Sequence, residues 1–412
     1  MHRTHTIVLL LPLLLGAQDA AAQDPLTRVS LEEAVNLATR QNHTLRAKAL
    51  ELEGVRAGEI TAGLRPNPGL SFLADQYGGG SQNPVEYAVT ISQTLELGGK
   101  RQRRLDSARA ATRVAGHDLA EVRRQIVLQT QSAFVGVQAA KAALALAEQN
   151  LKSIEELETV QRFRAEKGDI SELELIRIQV QRFAFERDAL DARQAVRGAK
   201  IALRALAGPD RIAEDFDVVG ELAFRDVSYP GPDLVGLALA NRPDVKAAEA
   251  AREKARADVN LARANAAWDL TPLVEYKRIG ADNTAGFGFS VPIRLFDQNQ
   301  GEIARTLVEA ERVEETRRAL LVQVRAEVGT ALAAAEAQRQ KVLALQDTYL
   351  PKAREARATV EFAYRRGGMT LLDFLDAQRS YRETALNYVQ ALAGYWGAIY
   401  QLEAAVGTSL ER

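Results

Sequence analysis

Along most of the chain apolar residues recur at helical spacing, and in two places the spacing drops to two. Ser30-Leu31-Glu32-Glu33 has the pattern of a capping box and predicts a helix start. Asn42-His43-Thr44 interrupts that helix, and a second is predicted from about Leu45 to Leu64, stopped by Arg65-Pro66-Asn67-Pro68-Gly69. Leu70 and Phe72 then flank Ser71, and Gly78-Gly79-Gly80-Ser81 marks a loop. Beyond it Val85, Tyr87, Val89, Ile91 and Leu95 alternate with Glu86, Ala88, Thr90, Ser92 and Thr94. The stretch 68–95 is therefore predicted as a β-hairpin with one apolar face and one small polar face. A second hairpin is predicted over 271–295. Val274 and Tyr276 lie in its first strand, Gly280-Ala281-Asp282-Asn283 forms its turn, and Phe287, Phe289, Val291, Ile293 and Leu295 alternate in its second strand. Pro292 predicts a strand end or a bulge there.

Each hairpin leads into a very long helix. The first is predicted from near Gly98-Gly99-Lys100-Arg101 to about Lys167. The second runs from near Asp297-Gln298-Asn299-Gln300-Gly301 to about Arg366, with a kink expected at Pro351. At 1.5 Å per residue each would be about 100 Å long. Ala133, Val137, Ala140, Leu144, Ala147, Leu151 and Ile154 alternate in steps of four and three, the spacing of a coiled-coil seam. Return helices are predicted over about 170–206 and 370–406, with Ala385, Val389, Leu392, Trp396 and Ile399 repeating that spacing. Residues 23–29 read as an extended lead-in, and 208–232 as an acidic, irregular link closed by Tyr229-Pro230-Gly231-Pro232.

Phe163-Arg164-Ala165-Glu166-Lys167-Gly168-Asp169-Ile170-Ser171-Glu172-Leu173-Glu174 aligns with the stretch from Phe362 to Asp373, an offset of about 200 residues. The chain thus reads as an internal duplication, with one repeat over 23–228 turning at 168 and another over 229–412 turning at 367. In both turns a glycine can end one helix at positive φ. Thr370 can cap the next, with Asp373 at its positive dipole end, and Asp376 lies three residues on along the same face.

Composition narrows the reading. Hydrophobic residues make up 47% of the chain but aromatics only 6%, an Ala- and Leu-rich balance that suits long helices. The net charge of −1 gives no electrostatic reason to expect nucleic acid as a partner. There is no cysteine, hence no disulfide, thiolate metal site or lipid-modified N-terminal Cys. His43 and His117 have no partner at ligand spacing, so neither a metal nor any other cofactor is expected. Arg3, the apolar run Ile7–Leu15 and Ala20-Ala21-Ala22 read as a signal peptide over 1–22. No phosphate loop or nucleophile–base pair is visible, which argues against an enzyme. Two isolated hairpins with an apolar face would leave open strand edges that cannot face lipid. Closure between several copies into one membrane barrel solves this, with the small polar residues facing the lumen and the helices continuing as a tube.

Over nearly its whole mature length the chain resembles the TolC-like outer-membrane efflux duct family. The repeated helix–hairpin–long helix–turn–helix unit carries the resemblance. So do Gly367 followed by Thr370-Leu371-Leu372-Asp373-Phe374-Leu375-Asp376-Ala377-Gln378, and Pro66-Asn67-Pro68 before the first hairpin. Leu95-Glu96-Leu97-Gly98-Gly99-Lys100-Arg101 and Pro292–Gly301 look like the heavy-metal branch, the outer-membrane component of cobalt-zinc-cadmium type systems. The resemblance implies a mainly α fold with a small membrane β-barrel: a homotrimer whose chains each give four strands to a shared 12-stranded barrel on an α-helical barrel. It implies a passive conduit in the outer membrane that extends into the periplasm, docked to a periplasmic adaptor and an inner-membrane proton-driven pump. It also implies that Asp373 and Asp376 ring the periplasmic entrance, and that Tyr364 and Glu174 are latch candidates holding it closed. Met369 departs from the family, where better-known members have an arginine that makes a second closing link.

Taken alone, Asp373 and Asp376 would be ordinary acids in a first helical turn, Tyr364 a packing residue and Glu174 a surface charge. Lys100-Arg101-Gln102-Arg103-Arg104 is read as a solvated collar at the barrel rim. A periplasmic adaptor would need a lipoyl-like β domain and a single hairpin. A secreted coiled coil would leave the alternation at 85–95 and 287–295 unexplained. Heavy-metal cations are the first expectation for the cargo and organic small molecules the second.

Overall fold

The computed structural model describes residues 25–76, 84–227 and 233–410. The signal-peptide stretch, the loop Gly78–Ser81 and the closing residues Tyr229–Pro232 lie outside them. A short strand β1 (Leu26–Val29) leads into α1 (Leu31–Gln41), whose N-terminus carries the capping box: Ser30 accepts from the Glu33 N–H, and Glu33 from the Ser30 N–H. Asn42 ends α1 and caps α2 (His43–Gly63), its side chain accepting from the Thr44 and Leu45 N–H groups. Then come β2 (Gly69–Asp75), β3 (Glu86–Ser92), the 67-residue α3 (Lys100–Glu166) and α4 (Glu172–Ala207). The order repeats as β4 (Ile212–Val218), α5 (Leu234–Asn241), α6 (Pro243–Asn265), β5 (Thr271–Ile279), β6 (Asp282–Ser290), α7 (Gln300–Ala344), α8 (Leu350–Arg365) and α9 (Leu371–Val406). The internal duplication is thus plain in the element order.

The two hairpins join into one antiparallel sheet in the order β2-β3-β5-β6. Its register aligns side chains in rows across all four strands. Leu70, Ile91, Val274 and Phe287 form one row, and Phe72, Val89, Tyr276 and Ala285 the next, all on one face. Ser71, Thr90, Glu275 and Gly286 share the opposite face, where Thr90 donates to Glu275 at 3.3 Å and Lys277 pairs with Glu86. The apolar rows are open to the surroundings, with Phe287 94% exposed, while Ala88 on the polar face is buried. Exposed aromatic and branched side chains on a closed soluble surface would be costly; against lipid they are at home. Among the described residues, no helix is long and apolar enough to cross a membrane.

Several expectations are corrected in detail. The link after α4 is not wholly irregular: β4 pairs in parallel with β1, and Ile212, Phe216 and Val218 are buried with Val29, Phe134 and Leu203. Glu214, Asp215 and Asp217 mask that strand in the sequence. The second hairpin ends at Ser290, so Val291, Ile293 and Leu295 lie beyond the ladder, and Pro292 sits where its missing N–H costs no sheet bond. At Pro351 the chain answers with a π-helical turn over Leu345–Tyr349, in which the Leu350 N–H reaches back to the Leu345 carbonyl. Pro351 has no N–H to return to the helix, and the wider turn lies just ahead of it.

The basic run at the barrel rim is a solvated collar only in part: Arg101, Gln102 and Arg103 are exposed, but its two ends are tied down. Lys100 is buried and pairs with Asp269 at 2.7 Å, while Arg104 pairs with Glu96 and donates to the Leu64 carbonyl. These contacts staple the strand-to-helix junction. Gly98 has φ +68, and a Cβ there would meet that of Ala267 at 2.5 Å, so both backbone and space require glycine. On the helical side, α3 packs on α2, α4 and α6, and α9 packs on α3, α7 and α8. The core at the end of α9 is built around Tyr395, whose hydroxyl donates to the Arg225 carbonyl and accepts from the Val227 N–H.

Candidate channel entrance

The far ends of the two helical hairpins have the same construction. Gly168 and Gly367 both have φ +80 with open space around them, so it is backbone conformation that selects glycine. At the first turn the Gly168 and Asp169 N–H groups return to Ala165 and Arg164; at the second those of Gly367 and Gly368 return to Tyr364 and Ala363. Ser171 then caps α4, and Thr370 caps α9.

The expected site residues divide into two pairs. Tyr364 and Glu174 come together across the hairpins, with the tyrosine hydroxyl 3.2 Å from Glu174 Oε1. Tyr364 is buried at 3% exposure and stacks on Phe374 at 5.3 Å, in a cluster with Ile154, Leu157, Ile178 and Leu371. Burial first, and then the neighbouring Glu174 charge, push its hydroxyl well above the usual tyrosine range, so it remains a donor. Asp373 and Asp376 instead stand on the exposed face of α9, opposite buried Leu371, Phe374 and Gln378. Asp373 closes a capping box, accepting from the Thr370 N–H at 3.0 Å and hydroxyl at 2.7 Å, and these bonds hold its carboxyl below the usual range. Asp376 pairs with Arg379 at 2.6 Å, both side chains largely in solvent. The face therefore carries a cation among its carboxylates, which the spacing of the aspartates did not reveal.

Between the turns lies a cleft of about 440 Å³ bordered by Arg164, Glu174, Arg177, Tyr364, Met369 and Leu372. Below it is a charged contact that sequence reasoning missed. Glu158 of α3 is buried, yet it accepts from Arg162 at 2.6 Å and from Arg182 of α4 at 3.1 Å. Burial pushes its carboxyl up, but the two guanidinium groups outweigh that and hold it below the usual range. Only the spacing of Glu158 and Arg162, four apart on one helix, could have hinted at it. Among the described residues no group of three His, Asp or Glu side chains could hold a metal ion.

A sheet with apolar and polar faces, open at β2 and β6 and set on two helical hairpins, defines a subunit of a membrane duct. The chain belongs to the outer membrane efflux protein family, whose model matches residues 34–209 and 234–408. It is 28% identical over 395 residues to the cobalt-zinc-cadmium resistance protein CzcC of Cupriavidus metallidurans, covering 95% of this chain and 91% of that one. It is 26% identical over 391 residues to the pyoverdine export outer membrane protein OpmQ of Pseudomonas putida, covering 85% and 80%. The fold matches the crystal structure of CusC with a TM-score of 0.80 at 18% identity over 92% of each chain. The protein is an outer-membrane efflux channel that reaches into the periplasm, with an α-helical barrel below a β-barrel.

Proposed function

We propose that this channel is the exit duct for heavy-metal cations in a tripartite efflux system. The near full-length similarity to a cobalt-zinc-cadmium resistance protein carries the reading. In it, three chains close one barrel of 12 strands, since β2 and β6 are the edges of the sheet and, among the described residues, each pairs on one side only. The hairpin ends form the periplasmic entrance, Tyr364 and Glu174 latch it, and Asp373 and Asp376 ring it. A periplasmic adaptor holds the duct to an inner-membrane proton-driven pump, which supplies the energy; the duct itself does no chemistry. Residues 1–22 direct export and are removed in the course of it, and the mature chain comprises the repeats 23–228 and 229–412.

The similarity to a pyoverdine exporter supports a second reading, an organic small molecule as cargo. Deleting the gene in its host separates the two. Metal export predicts lowered tolerance to cobalt, zinc and cadmium, restored by the intact gene, with unchanged tolerance to organic toxicants. The reverse pattern would sink the metal reading.

A further inference from the structure

The two helical hairpins meet at a second place, deeper than Tyr364. Here α9 lies against α3, whereas α4 stands off from it. A groove of about 310 Å³ separates them. Its floor is Ala143, Ala147 and Asn150 of α3, one wall is Phe185 and Asp188 of α4, and the other is Arg382 and Leu386 of α9. Arg382 reaches across this gap. Its guanidinium is 2.8 Å from Asp188 Oδ2 and lies over the Phe185 ring at 5.3 Å. Asp191 and Glu383 also border the groove, so Arg382 is the cation among its described lining residues.

We propose that Arg382 and Asp188 are a second clamp between the hairpins, fixing where α9 rests relative to α4 and so setting the aperture at the Gly367 turn. The inference rests on reading the hairpin ends as the entrance. Arg382 lies about 16 Å along α9 from Leu371. The apolar cluster around Tyr364 joins the hairpins near the tip; a second, charged contact deeper along α9 would fix their direction as well. That hairpin moves as one body, because Tyr364 stacks on Phe374 and Arg357 lies over the Tyr381 ring at 4.6 Å, both pairs joining α8 to α9. This packing also carries a local penalty. Asn150 is 2% exposed, and among the described residues its amide nitrogen and oxygen have no partner. Leaving both unpaired opposes the packing, and parting the hairpins would admit water to them. The clamp thus holds together a joint that this penalty opposes.

Single-channel recording of the purified channel in planar bilayers tests this, with Tyr364→Phe as reference for the tip. Arg382→Gln and Asp188→Asn should each shift the ratio of open to closed current about two- to fivefold toward open. The exchange Asp188→Arg with Arg382→Asp should restore the original ratio, which a loss of packing alone would not allow. The chain has no cysteine, so Asp188→Cys with Arg382→Cys can be bridged by a short, cleavable thiol crosslinker. The bridged channel should stay closed and open on cleavage, which keeps the test decisive if a charge variant fails to assemble. No change in the single variants while Tyr364→Phe opens the channel would remove the clamp and leave the entrance reading intact. No change in all three would overturn both. Opening in the single variants without recovery in the exchange, and a bridged channel that still conducts, would assign the effect to packing and overturn the clamp.

Discussion

Charged side chains buried between long helices bind only while the helices stay together. Glu158 illustrates this, since its carboxylate is paired from both α3 and α4. Its folded-state pKa is lowered from the ordinary 4.5, so its stabilisation is complete above that value and is lost as pH falls through the folded value. Arg162 and Arg182 are partly in solvent, which keeps the contribution to about 1–2 kcal/mol. Thermal unfolding from pH 7 down to 4 should show the wild-type melting temperature falling below about pH 5, with a shallower fall in Glu158→Gln. Parallel curves would show that the pair does not couple to protonation. At the outer face, Asp373 is the capping-box partner of Thr370 as well as a charge, so alanine there would fray the start of α9. Asp373→Asn with Asp376→Asn removes charge and spares shape. It should lower cation selectivity and weaken block by multivalent cations in planar bilayers. Unchanged selectivity in an intact channel would place the constriction elsewhere. The Gly367 turn and its cap were legible in the sequence because turn and cap residues act locally. That Glu158 meets Arg182 and Asp188 meets Arg382 was not, because charges are spread over every helix and packing alone selects which of them meet across helices.

The sheet follows from period-two alternation, and its register from the rows that alternation builds. Ile91 lies in the row of Leu70, Val274 and Phe287, while Thr90 lies in the row of Ser71 and Glu275. Ile91→Lys should impair insertion by about 2–4 kcal/mol near the bilayer midplane. Thr90→Lys, beside the Glu275 carboxylate, should be tolerated. Heat-stability of the assembled protein on gels reads the difference, and equal effects would show that the faces are misassigned. Alternation revealed β3 and β6, yet β4 escaped because its charged residues interrupt the apolar pattern and its partner β1 is nearly the whole repeat away. The π-helical turn was likewise hidden, since proline marks where a helical bond is lost but not how the helix compensates.

At the scale of the molecule the open edges of the sheet decide the assembly. Four strands per chain, with the outer edges of β2 and β6 open among the described residues, cannot stand in lipid. Mass measurement in detergent should give three chains, and the assembly should require detergent to remain dispersed. A stable, protected monomer would contradict the shared barrel. The same chain that leaves β2 and β6 open also exposes Leu50, Ile60, Val180, Phe183 and Val322 on its helices, an apolar area that neighbouring copies would cover.

The sequence by itself determined the element order, the duplication, the two-faced hairpins and the paired glycine turns. Each depends on residues close together in the chain, where periodicity, capping and positive φ act within a few positions. The resemblance carried by those elements was enough to point to an outer-membrane duct. Only the tertiary structure decided that β3 joins β5, that Lys100 is buried against Asp269, and that Arg382 spans a groove to Asp188. Those partners are roughly 170–195 residues apart. No local rule couples positions so distant; they meet because two long hairpins pack side by side, and that geometry is a property of the whole chain.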